Sequence, residues 1–280
     1  MGVYGVSLLS AVVARGVVAC FVLIAGLAIL RRDLLRVRWR DLPYFAVMGF
    51  VTVTLVFTFY AYAIMLVGVS VAAVLQYTAP AFVTVIAWRA FHEPLDRVKI
   101  AALALAMVGA ALIARLYNPA GVQLNLPGLL CGLGTGFGFG LFSILNKRAV
   151  TMYNPWTVTT YNLSFGILFL AVTQMPSAFY AVVAAPGAWP FIVAMAIGPT
   201  VVAHGLYTSG LALVPASNAS IMATWEPAMA TILAFVILGE TLDGPQLLGA
   251  AAIILGVILL SRNGTQQGKA EPRMNTGERR

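Results

Sequence analysis

Two ionisable residues lie inside long apolar runs, Arg15 and Glu226. A charged Arg, Lys or Asp at the centre of a bilayer-spanning helix costs about 2.5–3.5 kcal/mol on insertion scales. Each therefore needs a partner, a water-filled cavity or neutralisation. Arg15 suits a substrate carboxylate, or alternatively a tie to backbone carbonyls or to Glu226. Glu226 suits a substrate ammonium or a proton, because burial favours the neutral acid; a purely structural role for the Glu226-Pro227 pair stands beside that reading. His204, Tyr207, Thr208 and Leu211 share one helical face at i, i+3, i+4 and i+7. The imidazole is either a proton carrier near neutral pH or a hydrogen-bonded packing residue. Tyr60, Gln76, Tyr77, Tyr161 and Asn162 add aromatic and amide groups, which bind flat or cationic ligands by stacking and cation–π contact. The candidate substrate-binding set is thus Arg15, Tyr60, Gln76, Tyr77, Tyr161, Asn162, His204, Tyr207 and Glu226. Pro80 and Pro227 each remove a backbone hydrogen bond in mid-helix, as gating hinges or as static kinks.

Other chemistries find no motif. There is no H-E-x-x-H, no G-x-S-x-G and no paired intramembrane aspartate, so an enzyme is not expected. There is no Walker sequence, so ATP does not drive the protein directly. Gly132, Gly134, Gly136, Gly138 and Gly140 alternate through one run, but Phe137 stands where a dinucleotide loop needs glycine. They form overlapping G-x-x-x-G faces that let helices approach. Cys20 and Cys131 lie in apolar runs without metal-ligand or disulfide spacing. No metal, cofactor or nucleic acid is expected.

The elements that must position these residues belong in lipid. Of 280 residues 61% are apolar and 9% charged, and mean hydropathy is +0.92. A soluble domain is about a quarter charged, so a water-coated globule is excluded. Runs near the roughly 20 residues needed to cross a bilayer fall at 5–30, 43–66, 69–91, 98–116, 126–146, 155–175, 188–213, 216–238 and 245–261. Proline, glycine or charge separates them. Continuous rather than alternating hydrophobicity excludes a β-barrel.

Threading nine helices puts fifteen of the 17 basic residues on one face, in 31–41, 89–99, Lys147-Arg148 and the stretch after 261. That face is expected to be cytoplasmic, with the C-terminus inside and residues 262–280 forming a disordered tail. The net charge of +8 therefore reports membrane orientation.

Shifting the chain by 147 residues superposes Pro80 on Pro227, Glu93 on Glu240, Leu95 on Leu242, Asp96 on Asp243 and Gly109 on Gly256. The Glu93 turn is cytoplasmic in this threading and the Glu240 turn outside, so the halves are inverted, an architecture of secondary transporters. The second half has five helices and the first has four. A partner for 126–146 would precede Met1, so ten helices are expected with the first missing from this sequence. The expected divisions are 1–117, an incomplete first repeat, and 118–261, the second.

Leu75-Gln76-Tyr77-Thr78-Ala79-Pro80 through His92-Glu93-Pro94-Leu95, and Trp225-Glu226-Pro227 through Leu238-Gly239-Glu240-Thr241-Leu242, resemble the drug/metabolite transporter superfamily, and its EamA-type members most. The resemblance implies an all-α membrane protein built as an inverted repeat of five-helix halves. It also implies export of small organic metabolites by alternating access, with amino acids, aromatic ones included, as first candidates. A multidrug or toxic-cation efflux carrier is the alternative, and a non-transporting structural membrane subunit a second. The expected partners are a small-molecule substrate and the bilayer of the cell membrane, crossed many times by a monomer or weak homodimer.

Overall fold

The computed structural model describes residues 8–118, 124–174, 186–239 and 241–270. Every regular element among them is helical. Seven stretches are long and apolar enough to cross a bilayer, and one of these, Trp39–Phe91, has 53 residues. At 1.5 Å per residue it would be about 80 Å long, too much for one crossing of a core about 30 Å thick. It divides at Gly68, whose φ of 81° and ψ of 165° are non-helical and suit a residue without Cβ. With Arg97–Ile113, a 17-residue helix, each of the nine expected runs has a helical counterpart. The chain is an all-α, multi-pass membrane protein.

The helices are α1 (Leu8–Leu30), α2 (Leu42–Gly49), α3 (Val56–Gln76), α4 (Ala79–Phe91), α5 (Arg97–Ile113), α6 (Leu126–Ala149) and α7 (Pro155–Gln174). They continue with α8 (Trp189–Met195), α9 (Ala203–Leu213), α10 (Ala216–Ala223), α11 (Trp225–Leu238) and α12 (Gly244–Ala270). Two π-helical turns, Phe50–Leu55 and Ala196–Val202, join α2 to α3 and α8 to α9.

Contacts group the chain into two compact units, 1–93 with 118–220, and 94–117 with 221–280. In the first unit α6 lies along α3 and α4. A Cβ on Gly132 would stand 2.8 Å from Leu75 Cβ, and one on Gly136 would stand 2.6 Å from the Leu75 carbonyl oxygen. The glycine stripe is therefore a packing surface. Helix α1 packs on α7 through Gly16 and Ile167, and Gly49 sits against the backbone of Asn162 and Gly166. Val12, Ala19, Leu163, Ile167, Leu170 and Ala196 fill the core between these elements.

In the second unit α5 and α12 run antiparallel. Gly109 meets the Gly249 carbonyl, and Gly256 meets that of Ala102. Asp96 caps α5 by accepting the Lys99 N–H at 2.7 Å, and Asp243 caps α12 by accepting that of Gln246 at 3.0 Å. The Tyr117 hydroxyl donates to Asp243 at 2.5 Å, and Arg115 pairs with it at 3.3 Å. The Tyr117 bond first, then the Gln246 N–H and the Arg115 charge, hold the Asp243 carboxyl below its usual range.

Two expectations are corrected. Pro80 is not in mid-helix. The chain turns at Tyr77-Thr78 and a new helix starts at Ala79 with Pro80 in its first turn, where the missing N–H costs nothing. Pro227 is likewise the third residue of a helix that starts after Thr224. Each proline thus opens the second of two short helices. The stretch 262–270, expected to be disordered, continues α12 to Ala270. No proline interrupts it. The remainder of that expected tail, and Glu240, lie outside the described residues.

Candidate substrate site

Arg15 is the eighth residue of α1, roughly 10 Å along that helix at 1.5 Å per residue. Its guanidinium carbon lies 5.2 Å from the centre of the Phe57 ring on α3. Among the described residues it makes no ion pair and no side-chain hydrogen bond. Phe57 packs on the same core as Val201, three residues before His204 of α9. His204 meets Phe142 of α6 edge-on, with ring centres 5.6 Å apart. Phe142 also stacks on Tyr207 at 5.9 Å, and the Tyr207 hydroxyl shares a 2.7 Å hydrogen bond with Ser143. Phe142, Ser143, His204 and Tyr207 thus form one contact cluster, and Arg15 with Phe57 lies on the neighbouring core in the same compact unit.

Local sequence explains how these side chains reach each other. Pro199 has no N–H to give to the carbonyl four residues back, and the Thr200 hydroxyl donates to the Met195 carbonyl instead, at 2.9 Å. The π-turn Ala196–Val202 accommodates this fault and resets the phase of α9. Gly205 lets the Trp156 ring of α7 lie against α9, since a Cβ there would be 2.4 Å from that ring.

Buried polar atoms around the cluster are left over. Thr208 Oγ1 and Asn146 Oδ1 are buried without a hydrogen-bond partner. Asn146 spends its amide on the Phe142 carbonyl at 2.7 Å and keeps its acceptor free. Asn218 Oδ1 on α10 is unsatisfied as well. Buried polar atoms in native proteins are paired with protein, water or ligand. Such atoms in a membrane bundle are where a polar solute can be held.

The remaining expected residues sit on or at the end of α3, on α7 and on α11. Asn162 accepts from the Thr52 hydroxyl at 3.1 Å beside the first π-turn. Tyr161 donates to the Leu35 carbonyl at 2.8 Å and packs on Phe45, which fixes the α1–α2 connection. Tyr60 is half-buried on α3, while Gln76 ends that helix and Tyr77 caps it. Glu226 stands exposed in the first turn of α11, in the second unit. Leu211 is wholly buried among Val83, Ala87 and Ala216 and serves packing. Phe142 and Ser143 were not expected here. The one sequence signal for them was a hydroxyl beside an aromatic ring just past the glycine stripe. Glu93 is a further surprise. Its buried carboxylate accepts the Ala216 N–H at 2.7 Å, the Ser217 N–H at 3.1 Å and the Ser217 hydroxyl, and so clamps the start of α10 to the end of α4.

A many-helix bundle in lipid, with a lone guanidinium and spare acceptors among aromatic rings, has the build of a membrane carrier. The chain belongs to the EamA-like transporter family, whose sequence profile matches it twice, over residues 2–115 and 126–262. It is 30% identical to an uncharacterized transporter of Archaeoglobus fulgidus over 223 residues, covering 80% of this chain and 77% of the relative. It is 27% identical to the threonine/homoserine exporter RhtA of Salmonella typhimurium over 197 residues, 69% of this chain and 62% of that one. A solved crystal structure shares the fold at a TM-score of 0.76 and 17% identity, over 92% of this chain and 88% of that chain.

Proposed function

We propose that the protein exports small amphoteric metabolites, amino acids first among them, across the cell membrane. The observation that carries the reading is Arg15, a membrane-buried guanidinium with no acidic partner among the described residues. An uncompensated charge in such a place is retained for a ligand. A carboxylate matches the guanidinium fork, and the spare acceptors Asn146 Oδ1 and Asn218 Oδ1 match an ammonium group. Phe57, Phe142 and Tyr207 offer apolar surface to a side chain. The likeness to a threonine/homoserine exporter agrees with this class. A lone cation in the cluster disfavours a cationic drug as substrate.

Transport by alternating access fits a chain of two inverted halves, with the C-terminus in the cytoplasm. Support comes from local geometry that recurs 147 residues apart. His92 and Gly239 both end their helices in the left-handed conformation. Thr84 donates to Pro80 O at 2.7 Å, and Thr231 to Pro227 O at 2.8 Å. Gly109 and Gly256 make reciprocal contacts across an antiparallel pair of equivalent helices. Antiparallel mates of this kind are what an axis in the membrane plane requires.

Counterflow in proteoliposomes loaded with single amino acids tests the function. The expected result is saturable accumulation of labelled substrate with a zwitterionic partner inside. Absence of counterflow with every amino acid, together with counterflow of organic cations, would overturn it.

A further inference from the structure

The connection from α1 to α2 holds five arginines, Arg31, Arg32, Arg36, Arg38 and Arg40, against two aspartates, Asp33 and Asp41. Both aspartates are taken. Arg31 holds Asp33 through two contacts of 3.3 Å, and Arg38 holds Asp41 at 2.8 Å with the Tyr153 hydroxyl also on that carboxylate. Arg32 turns back to the Ala28 carbonyl at the end of α1, at 2.7 Å. Arg36 and Arg40 remain exposed with no carboxylate partner, and Arg40 lies over the Trp39 ring at 5.5 Å. A recess of about 600 Å³ opens here, lined by Arg36, Val37, Arg38, Met152 and Tyr153. The end of α1 and the same connection also carry uncovered apolar side chains: Ile29 is 81% exposed, Leu30 77% and Trp39 75%.

Each part of this arrangement has a physical requirement. Apolar residues at a helix end, and an indole beside them, lie where hydrocarbon gives way to headgroups. Exposed arginines without a carboxylate partner are open to an anion, and a bilayer surface supplies one as a phosphodiester. A guanidinium binds phosphate oxygens through paired N–H donors, whereas a neutral headgroup offers no net charge to match. We propose that the α1–α2 connection, with the recess at Arg36, binds the phosphate of an anionic phospholipid through the exposed Arg36 and Arg40, with the acyl chains against the exposed apolar side chains at the end of α1. The site is separate from the Arg15 cluster, and it stands whether or not amino acids are the substrate.

The experiment titrates dioctanoyl phosphatidylglycerol into the purified full chain in a neutral detergent, followed calorimetrically. Phosphatidylcholine of the same chain length and inorganic phosphate form parallel arms. Saturable binding of the anionic lipid alone is expected, weakening as salt is raised because the contact is with a phosphate. Neutralising one arginine near a membrane surface should weaken binding about fivefold, and R36Q/R40Q about 25-fold. Neither side chain has a carboxylate partner to orphan and Arg40 gives up only an exposed ring contact with Trp39, so the double variant should melt within a few degrees of wild type in detergent without lipid. R31Q, whose charge is already held by Asp33, serves as a second variant and should change binding less than R36Q. Equal binding of phosphatidylcholine would overturn the proposal, as would unchanged affinity in R36Q/R40Q or a larger loss in R31Q. Equal binding of inorganic phosphate would replace the lipid with a free anion and overturn it too.

Discussion

Replacing Arg15 by glutamine separates a ligand anchor from a structural strut, because the two roles predict opposite effects on stability. In the folded protein the guanidinium touches the Phe57 ring at 5.2 Å and has no acidic partner among the described residues. Its removal forfeits one cation–π contact, about 0.5–2 kcal/mol. It also relieves the cost of keeping the charge in the membrane, about 2.5–3.5 kcal/mol on insertion scales, less whatever the amide costs in its turn. These terms oppose each other, so R15Q should melt within a few degrees of wild type or above it. A strut buried in an ion pair would instead cost about 3–5 kcal/mol when cut. Transport should respond differently. Loss of a charge-assisted hydrogen bond to a carboxylate is worth about 1.5–3 kcal/mol, which is a rise in KM of about 10- to 150-fold at 1.36 kcal/mol per decade. R15K keeps the charge but not the planar fork, and should fall between the two. The assay is initial-rate counterflow beside a melting curve of the same preparation. An unchanged KM in R15Q, or a collapsed melting temperature, would refute the reasoning.

Three further outcomes are expected. In G109A the new Cβ would stand 2.6 Å from the Gly249 oxygen, whereas in G256A it would stand 3.0 Å from that of Ala102. Overpacking costs about 1–3 kcal/mol, so thermal melts should show the larger loss in G109A. E93A leaves the N–H groups of Ala216 and Ser217 without their acceptor, at about 1–3 kcal/mol; E93Q, which keeps an acceptor oxygen, should lose less in the same melts. D243N removes a carboxylate held below its ordinary range by Tyr117, Gln246 and Arg115. Stability from a depressed carboxyl is present above its unfolded value, about 3.9, and is lost as pH falls through the folded value. The melting deficit of D243N should therefore be full at neutral pH and vanish in that acid window.

The helices and their number were legible because apolar run length alone decides them in lipid. Arg15, His204 and Tyr207 were legible as chemistry because polar groups are conspicuous there. The packing of Arg15 on Phe57, and of His204 and Tyr207 on Phe142, was not, since it follows two π-turns that change helical phase. The only sequence trace of the second is a proline in an apolar run, and Phe50–Leu55 has no proline at all. Pro80 misled for a related reason. A proline in a long apolar run signals a fault in the helix without saying whether the fault bends it or restarts it. Tyr161 looked like a ligand because its ring and hydroxyl suit binding, yet a carbonyl 126 residues away in sequence accepts its hydrogen bond. Glu93 read as part of a repeated turn, and its true partner, the start of α10, is fixed by tertiary packing that spacing does not encode.

The central claim is that a substrate carboxylate meets Arg15. The direct measurement is competition in proteoliposome counterflow between an accepted amino acid, its methyl ester and its decarboxylated amine. The account predicts that the free acid competes, that ester and amine compete at least tenfold more weakly, and that R15Q erases this preference, given the roughly 1.5–3 kcal/mol of a charge-assisted bond. Equal competition by acid, ester and amine in the wild-type protein would contradict it.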